Sequence, residues 1–311
     1  MPPSLLQPAS HWKLRTRTLP AGKLPLLMGI INVTPDSFSD GGHYLDAETA
    51  VEHGLRLAAE GADLLDVGGE STRPHAQPVD LQEELRRVMP VVGALCKQTD
   101  LPVSIDTSKA LVARHAIHAG AEIINDITAM TGDPAMLLLA VESACGVCAV
   151  HMRGTPPTMQ DNPTYADVVA EVLHYLGQRR DALLAAGIDR DRIALDPGIG
   201  FGKTTEHNLQ LLANARQLHS LGCPVLVGHS RKRFLADAGG TRGHSPLPPT
   251  DASAAAGTDT KAEFPLFHDR TAGTIGVALS LARQGVQVLR VHDVAAVRQA
   301  LLLFQATGGL A

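Results

Sequence analysis

From Leu24 onward, apolar and polar positions alternate in blocks: a short apolar run, a cluster of polar and glycine residues, then a longer stretch with helical periodicity. The short runs cover residues 26–33, 62–67, 102–105, 122–124, 147–150, 192–195, 224–227 and 286–291. Between them lie helix-like stretches such as 47–60, 81–98, 110–119, 165–186 and 209–220, and a last one covers 294–304. Glycine follows several of them, at Gly61, Gly120, Gly187 and Gly222, where a left-handed residue ends a helix. The alternation predicts βα units and a parallel sheet, and eight units are the number that closes a barrel.

The chain therefore reads as α/β, a single-domain (β/α)8 TIM barrel over residues 24–307. An open doubly wound sheet is the alternative, because strand order is not legible in a sequence. The polar residues favour closure. Nearly every apolar run ends on a side chain able to do chemistry: Asn32, Asp66, Asp106, Asn125 with Asp126, His151, Asp196, His229, and Arg290 with His292. In such barrels the active site is built at the C-terminal ends of the strands. Two stretches fall outside the pattern. Residues 1–23 read as an extension leading into the first strand, and residues 238–267, rich in Gly, Pro, Ala, Ser and Thr, read as an inserted, poorly ordered loop.

Composition narrows the class. With 311 residues, 44% of them apolar, and a mean hydropathy near zero, the chain can bury a full core. A net charge of −5 offers no general basic surface for nucleic acid or an acidic membrane, so an anionic ligand needs a local cationic cluster. No apolar stretch approaches the roughly 18 residues of a bilayer span. The four cysteines are scattered; Cys145 and Cys148 form a C-x-x-C inside an apolar run, and buried thiols are the reading preferred over a metal or redox pair. Without a secretory leader pattern, the chain reads as cytoplasmic.

The chemistry-bearing motifs follow the runs. Asn32, in a long polar loop, offers a neutral oxygen to Mg²⁺, or is a turn former. Thr72 and Arg73 place a hydroxyl beside a guanidinium, able to grip a phosphate, whereas Asp66 and Glu70 read as braces for that loop. Asp106, Asn125 and Asp196, at three run ends, are carboxylates and a carboxamide without matched cations. Together they suit a flat heterocycle rich in N–H donors, although each alone could be a helix cap. Residues 196–204 look like a phosphate loop, but Pro197 stands where the Walker pattern needs glycine. Arg231, Lys232, Arg233, Arg290 and His292 gather after the seventh and eighth runs, where barrels often bind phosphate.

GIINVTPDSFSDGG, DVGGESTRP, IDTS, INDI, LDPGIGFGK, GHSRK and RVHD, in that order, resemble the dihydropteroate synthase family, from about Leu26 to Ala306. The resemblance implies a transferase of folate biosynthesis, a sulfonamide target, that joins a pterin diphosphate to p-aminobenzoate. It implies Mg²⁺ on Asn32; the pterin on Asp106, Asn125, Asp196 and Lys232; and the diphosphate on Asn32, Thr72, Arg290 and His292. Asp106, Lys232, Arg290 and His292 become the catalytic set. Phe38, Asp40, Thr72, Arg73, Pro74, Phe201 and Arg233 are assigned to the p-aminobenzoate site. Val150, His229 and Arg233 depart from the family's common residues, the first two at positions lining or underlying the pterin pocket. A pterin-binding methyltransferase domain would lack the two loop signatures, and intact Asn32, Arg73, Lys232 and His292 argue against a noncatalytic paralogue. The partners expected are the small-molecule substrates and a second copy in a homodimer, since the last helix is apolar around most of its circumference.

Overall fold

The computed structural model describes residues 6–34, 43–72, 76–240 and 270–310, without the side chains of 43–46 and 238–240. Eight parallel strands form one sheet: β3 (Leu26–Asn32), β4 (Leu64–Gly68), β5 (Val103–Asp106), β6 (Ile123–Asp126), β7 (Gly146–Val150), β8 (Ile193–Asp196), β9 (Leu226–Gly228) and β10 (Val288–Val291). Their order is β8-β7-β6-β5-β4-β3-β10-β9. A bridge between Leu195 and Val225 joins the two ends, with Leu195 N donating to Pro224 O at 2.9 Å. The sheet is thus the barrel, not the open alternative, and each predicted run falls within two residues of its strand.

Strand parity gives the barrel its two faces. Outward residues such as Leu27, Ile31, Leu65, Val67, Ile105, Ile124, Val147 and Leu289 pack against the helices in the main core. Those helices are α1 (His43–Ala59), α2 (Leu81–Gln98), α3 (Ala110–Ala119), α4 (Met136–Ser143), α5 (Val168–Ala185), α6 (Thr205–Ala213), α7 (Arg233–Gly240), α8 (Thr271–Arg283) and α9 (Val294–Ala306). Inward residues Met28, Leu64, Ile123, Cys148, Ala194, Leu226 and Val288 make a second, apolar cluster inside the barrel.

The N-terminal segment does more than lead into the first strand. An antiparallel hairpin, β1 (His11–Lys13) with β2 (Thr18–Pro20), delivers Trp12 and Leu14 into the inner cluster. Trp12 is 2% exposed, and its indole N–H donates to Arg192 O at 3.0 Å. The hairpin closes the N-terminal mouth with apolar bulk, leaving the other mouth for chemistry.

Other departures are local. The predicted helix over 209–220 starts earlier, where Thr204 and His207 form a capping box, and breaks at the non-helical Asn214 into α6 and a 3-10 helix at Ala215–Leu221. Helix α7 runs to Gly240, so its last turn takes the first three residues assigned to the loop at 238–267; residues 241–269 lie outside the described ones. Cys145, Cys148 and Cys223 are buried free thiols. Among the described residues no helix is long and apolar enough to cross a membrane.

Candidate active site

Two residues beyond the inner apolar layer, the same strand faces turn polar. Leu64 is followed inward by Asp66, Ile123 by Asn125, Ala194 by Asp196 and Val288 by Arg290, while Ser104 leads to Asp106. Asp66 is fully buried, and its Oδ2 accepts from Arg290 Nε at 2.6 Å and from Asn125 Nδ2 at 3.1 Å. Arg290 Nη2 donates to Asp106 Oδ2 at 2.8 Å. Burial opposes the charge of Arg290, but the carboxylates of Asp66 and Asp106 outweigh it and raise its pKa. Asp106 is pushed up to about 7, first by burial, which Arg290 only partly offsets because Asp66 shares it. Two sequence readings are corrected here. Asp66 braces Arg290 and Asn125 rather than its own loop, because strand parity turns it into the barrel. The carboxylates also do have a matched cation, brought to them by the strand that closes the barrel.

Asp196 lies across the mouth. Its Oδ1 accepts from Gly198 N at 2.7 Å and its Oδ2 from Gly228 N at 3.3 Å, while burial raises its pKa. Lys232 donates to Ile199 O and stands 4.3 Å from the centre of the Phe201 ring, a cation–π distance. Burial lowers its pKa to about 8. Asn125 Oδ1 and Asp66 Oδ1 are buried without a partner among the described residues, so this layer retains unused acceptor capacity.

The cationic cluster after β9 and β10 divides into distinct roles. Ser230 Oγ accepts from His292 N at 3.2 Å and lies 3.1 Å from its Nδ1; a hydroxyl donating there leaves the imidazole proton on Nε2. Arg231 pairs with Asp293, Nε to Oδ2 at 2.9 Å, and ties the two loops together. The Arg233 side chain, 89% exposed, runs beside Asp237 along its own helix. Asn32 sits half-buried at the end of β3, and Thr72 half-buried in the loop after β4. Phe38, Asp40, Arg73 and Pro74 lie outside the described residues.

Some predicted chemistry is structural. Asp126 is buried and closes a turn, accepting from Thr128 N at 2.7 Å and Met130 N at 3.0 Å. His229 does not line the mouth: it is fully buried, with Nε2 3.0 Å from Thr274 O on α8, and burial drops its pKa to about 4. Val150 belongs to the inner apolar layer. Conversely, sequence reasoning passed over two lysines. Lys109 pairs with Glu70 and with the fully buried Glu84, and Glu70 accepts from Val79 N at 3.1 Å, so the loop after β4 is fastened at its base. Lys203 is buried within the glycine-rich loop after β8. The first lysine had no legible signal because Glu84 comes from α2; the second was visible only as the lysine of a failed phosphate-loop pattern.

Among the described residues no three His, Cys, Asp or Glu side chains converge to hold a metal. A cation at this mouth must rely on few protein ligands and on oxygens of a bound anion. A single amide oxygen such as that of Asn32 fits Mg²⁺, which keeps most of its waters.

The pterin binding enzyme family matches residues 28–292. The dihydropteroate synthase of Haemophilus influenzae is 42% identical over 284 residues, covering 91% of this chain and 94% of that protein. The structure of Xanthomonas albilineans dihydropteroate synthase with 4-aminobenzoic acid superposes with a TM-score of 0.82 at 45% identity, covering 96% of this chain and 98% of that one. The same enzyme in complex with 7,8-dihydropteroate gives a TM-score of 0.78 at 43% identity with the same coverage.

Proposed function

The chain belongs to the pterin binding enzyme family, and from that premise we propose that its C-terminal barrel mouth performs the dihydropteroate synthase reaction. The enzyme joins 6-hydroxymethyl-7,8-dihydropterin diphosphate to p-aminobenzoate, giving 7,8-dihydropteroate and pyrophosphate. The observation that supports the assignment of roles is the polar layer itself, where Asp66, Arg290, Asp106, Asn125 and Asp196 are held on rigid strand ends above a plugged apolar floor.

Asp196 accepts the guanidine-like edge of the pterin, and Asn125 and Asp106 pair with the rest of the ring's polar rim. Lys232 donates to the ring and lies against Phe201. The exocyclic CH2–O bond breaks and its electron pair leaves with the diphosphate. Arg290, His292 through Nε2, and Thr72 receive the growing negative charge. Asn32 would hold Mg²⁺ beside the diphosphate, and the bound ion would supply further charge neutralisation. The carbon left behind is a cation delocalised into the ring, stabilised by the carboxylate of Asp106. The arylamine nitrogen then bonds to that carbon and loses a proton, and no side chain acts as a nucleophile. Phe38, Asp40, Arg73, Pro74 and Phe201 enclose the p-aminobenzoate and exclude competing water. Arg233, directed to solvent here, is a rim residue in this reading.

The working form is a homodimer of a cytoplasmic enzyme. Its support is α9, where Leu301 is buried but Leu302 and Leu303 are more than half exposed, and the buried reduced thiols. The deciding assay is pyrophosphate release from the pterin diphosphate with Mg²⁺, with and without p-aminobenzoate. Amine-dependent release is expected, and its absence sinks the catalytic assignment.

A further inference from the structure

The loop between β8 and α6 is wound around an amine that the reaction does not use. Gly198, Gly200 and Gly202 have φ of 67°, 83° and 64°, so the chain takes three left-handed turns in five residues. A Cβ on Gly198 would overlap the His151 carbonyl, and one on Gly202 that of Arg153, so the loop lies tight against the segment after β7. Lys203 is 3% exposed at its centre. Its Nζ lies 2.9 Å from Gly198 O, 3.0 Å from Phe201 O and 2.9 Å from His151 Nδ1, with His151 O at the edge of reach at 3.5 Å. The two carbonyls accept from the amine, and the His151 ring nitrogen is its third near partner. Burial, followed by the charge of Lys203, drops the His151 pKa to about 3, so the imidazole beside the amine is neutral. Among the described residues no carboxylate lies within ion-pair distance of Lys203. Burial holds the Lys203 pKa well below that of an ordinary lysine, so what two carbonyls and an imidazole surround is a buried amine placed to shape what binds it.

What it shapes is Phe201 and the wall behind Lys232. A Cβ on Gly200 would come within 2.9 Å of Lys232 Cδ, and Lys232 stands over the Phe201 ring. Lesser ties hold the outside of the loop: Gln160 Nε2 to Gly200 O at 2.7 Å, Asn208 Oδ1 accepting from Gly200 N at 2.7 Å, and Tyr165 OH to Gly202 O at 2.9 Å. We infer that Lys203 is a positioning residue for the arylamine site, the internal template that holds Phe201 where p-aminobenzoate meets it. This rests on the reading of Phe201 as part of that site. Without the amine, two carbonyls lose their donor and the His151 ring nitrogen its partner, and the loop must open to hydrate them. Phe201 then moves, while Asp106 and Asn125, on strands away from the loop, stay in place.

The test is steady-state kinetics of the full-length enzyme with both substrates varied. Lys203→Met fills the volume of the stem without donors and should raise KM for p-aminobenzoate about tenfold relative to any change in KM for the pterin diphosphate, a fraction of the roughly hundredfold that a full ångström of misplacement can cost. Tyr165→Phe removes one tie from the same loop and should shift the same ratio in the same direction by about threefold; it decides the matter if Lys203→Met does not fold. Phe201→Ala must itself raise KM for p-aminobenzoate, and adding Lys203→Met to it should raise that KM no further, because the lysine acts through the phenyl ring. If Lys203→Met folds and changes the two KM values equally or not at all, or if the double variant is fully additive, the inference is wrong. If Phe201→Ala leaves KM for p-aminobenzoate unchanged, the assignment of Phe201 to that site fails first and takes the inference with it.

Discussion

Asp66 shows how one side chain sets the behaviour of its neighbours. It shares Arg290 with Asp106, and one guanidinium cannot neutralise two buried carboxylates, so Asp106 is pushed up to about 7 by burial with the Asp66 charge adding to it. If the ionised form of Asp106 stabilises the cation, kcat/KM for the pterin diphosphate rises with pH through a limb near 7. Asp66→Asn removes the like charge and leaves Arg290 to Asp106, so the limb should move to lower pH. A limb that stays put in the pH–rate profile would assign it to another group. The same shift has a stability sign. Because the folded-state pKa lies above the unfolded value of about 4, the folded state keeps its proton longer, and this group lowers stability as pH rises from about 4 to about 7. Urea titrations of Asp106→Asn across that range should show a correspondingly flatter pH dependence. Asp66→Ala, which leaves Arg290 short of a buried partner, should cost about 3 kcal/mol by the same titration.

Among the elements, the loop after β8 and the N-terminal hairpin carry the clearest consequences. Gly198→Ala meets both a left-handed φ of 67° and the His151 carbonyl, and loss of more than about 3 kcal/mol is expected, seen as a large drop in melting temperature. Gly187, with φ of 101° but open space around it, separates strain from collision. Gly187→Ala should cost only about 1–2 kcal/mol, and equal losses at the two positions would contradict this division. Trp12→Ala empties the plug under the inner layer and should cost about 3–5 kcal/mol, yet kcat/KM of the folded enzyme should hold, because the hairpin and the polar layer are at opposite mouths. Most element boundaries were legible because periodicity switches where the chain enters a strand or helix. α4 was not, since Met136 to Val141 is an unbroken apolar stretch with no face to read, and the early start of α6 depended on a cap made by Thr204 and His207.

For the molecule as a whole, closure is what makes the site. Arg290 reaches Asp66 and Asp106, more than 180 residues earlier, because β10 pairs with β3. The outside of the barrel holds the oligomer prediction. Leu302 and Leu303 are 51% and 59% exposed on α9, and a homodimer that uses this face should dissociate when both are changed to Glu. Light scattering is the measurement; a wild-type monomer at micromolar concentration, or a variant that stays dimeric, refutes the placement.

The sequence by itself determined the eight strands and the chemical type of nearly every strand end, since hydrophobic period and residue identity are local properties. It also carried the family, through motifs whose order survives in one dimension. Only the tertiary structure decided which groups meet. Strand parity turned Asp66 inward and His229 away from the mouth, and the start of α7 left Arg233 in solvent, although all three stand in motifs of the same kind. Glu84 finds Lys109, and Lys203 finds His151, across 25 and 52 residues of chain. Pairings of that length depend on register and packing, which no local pattern encodes.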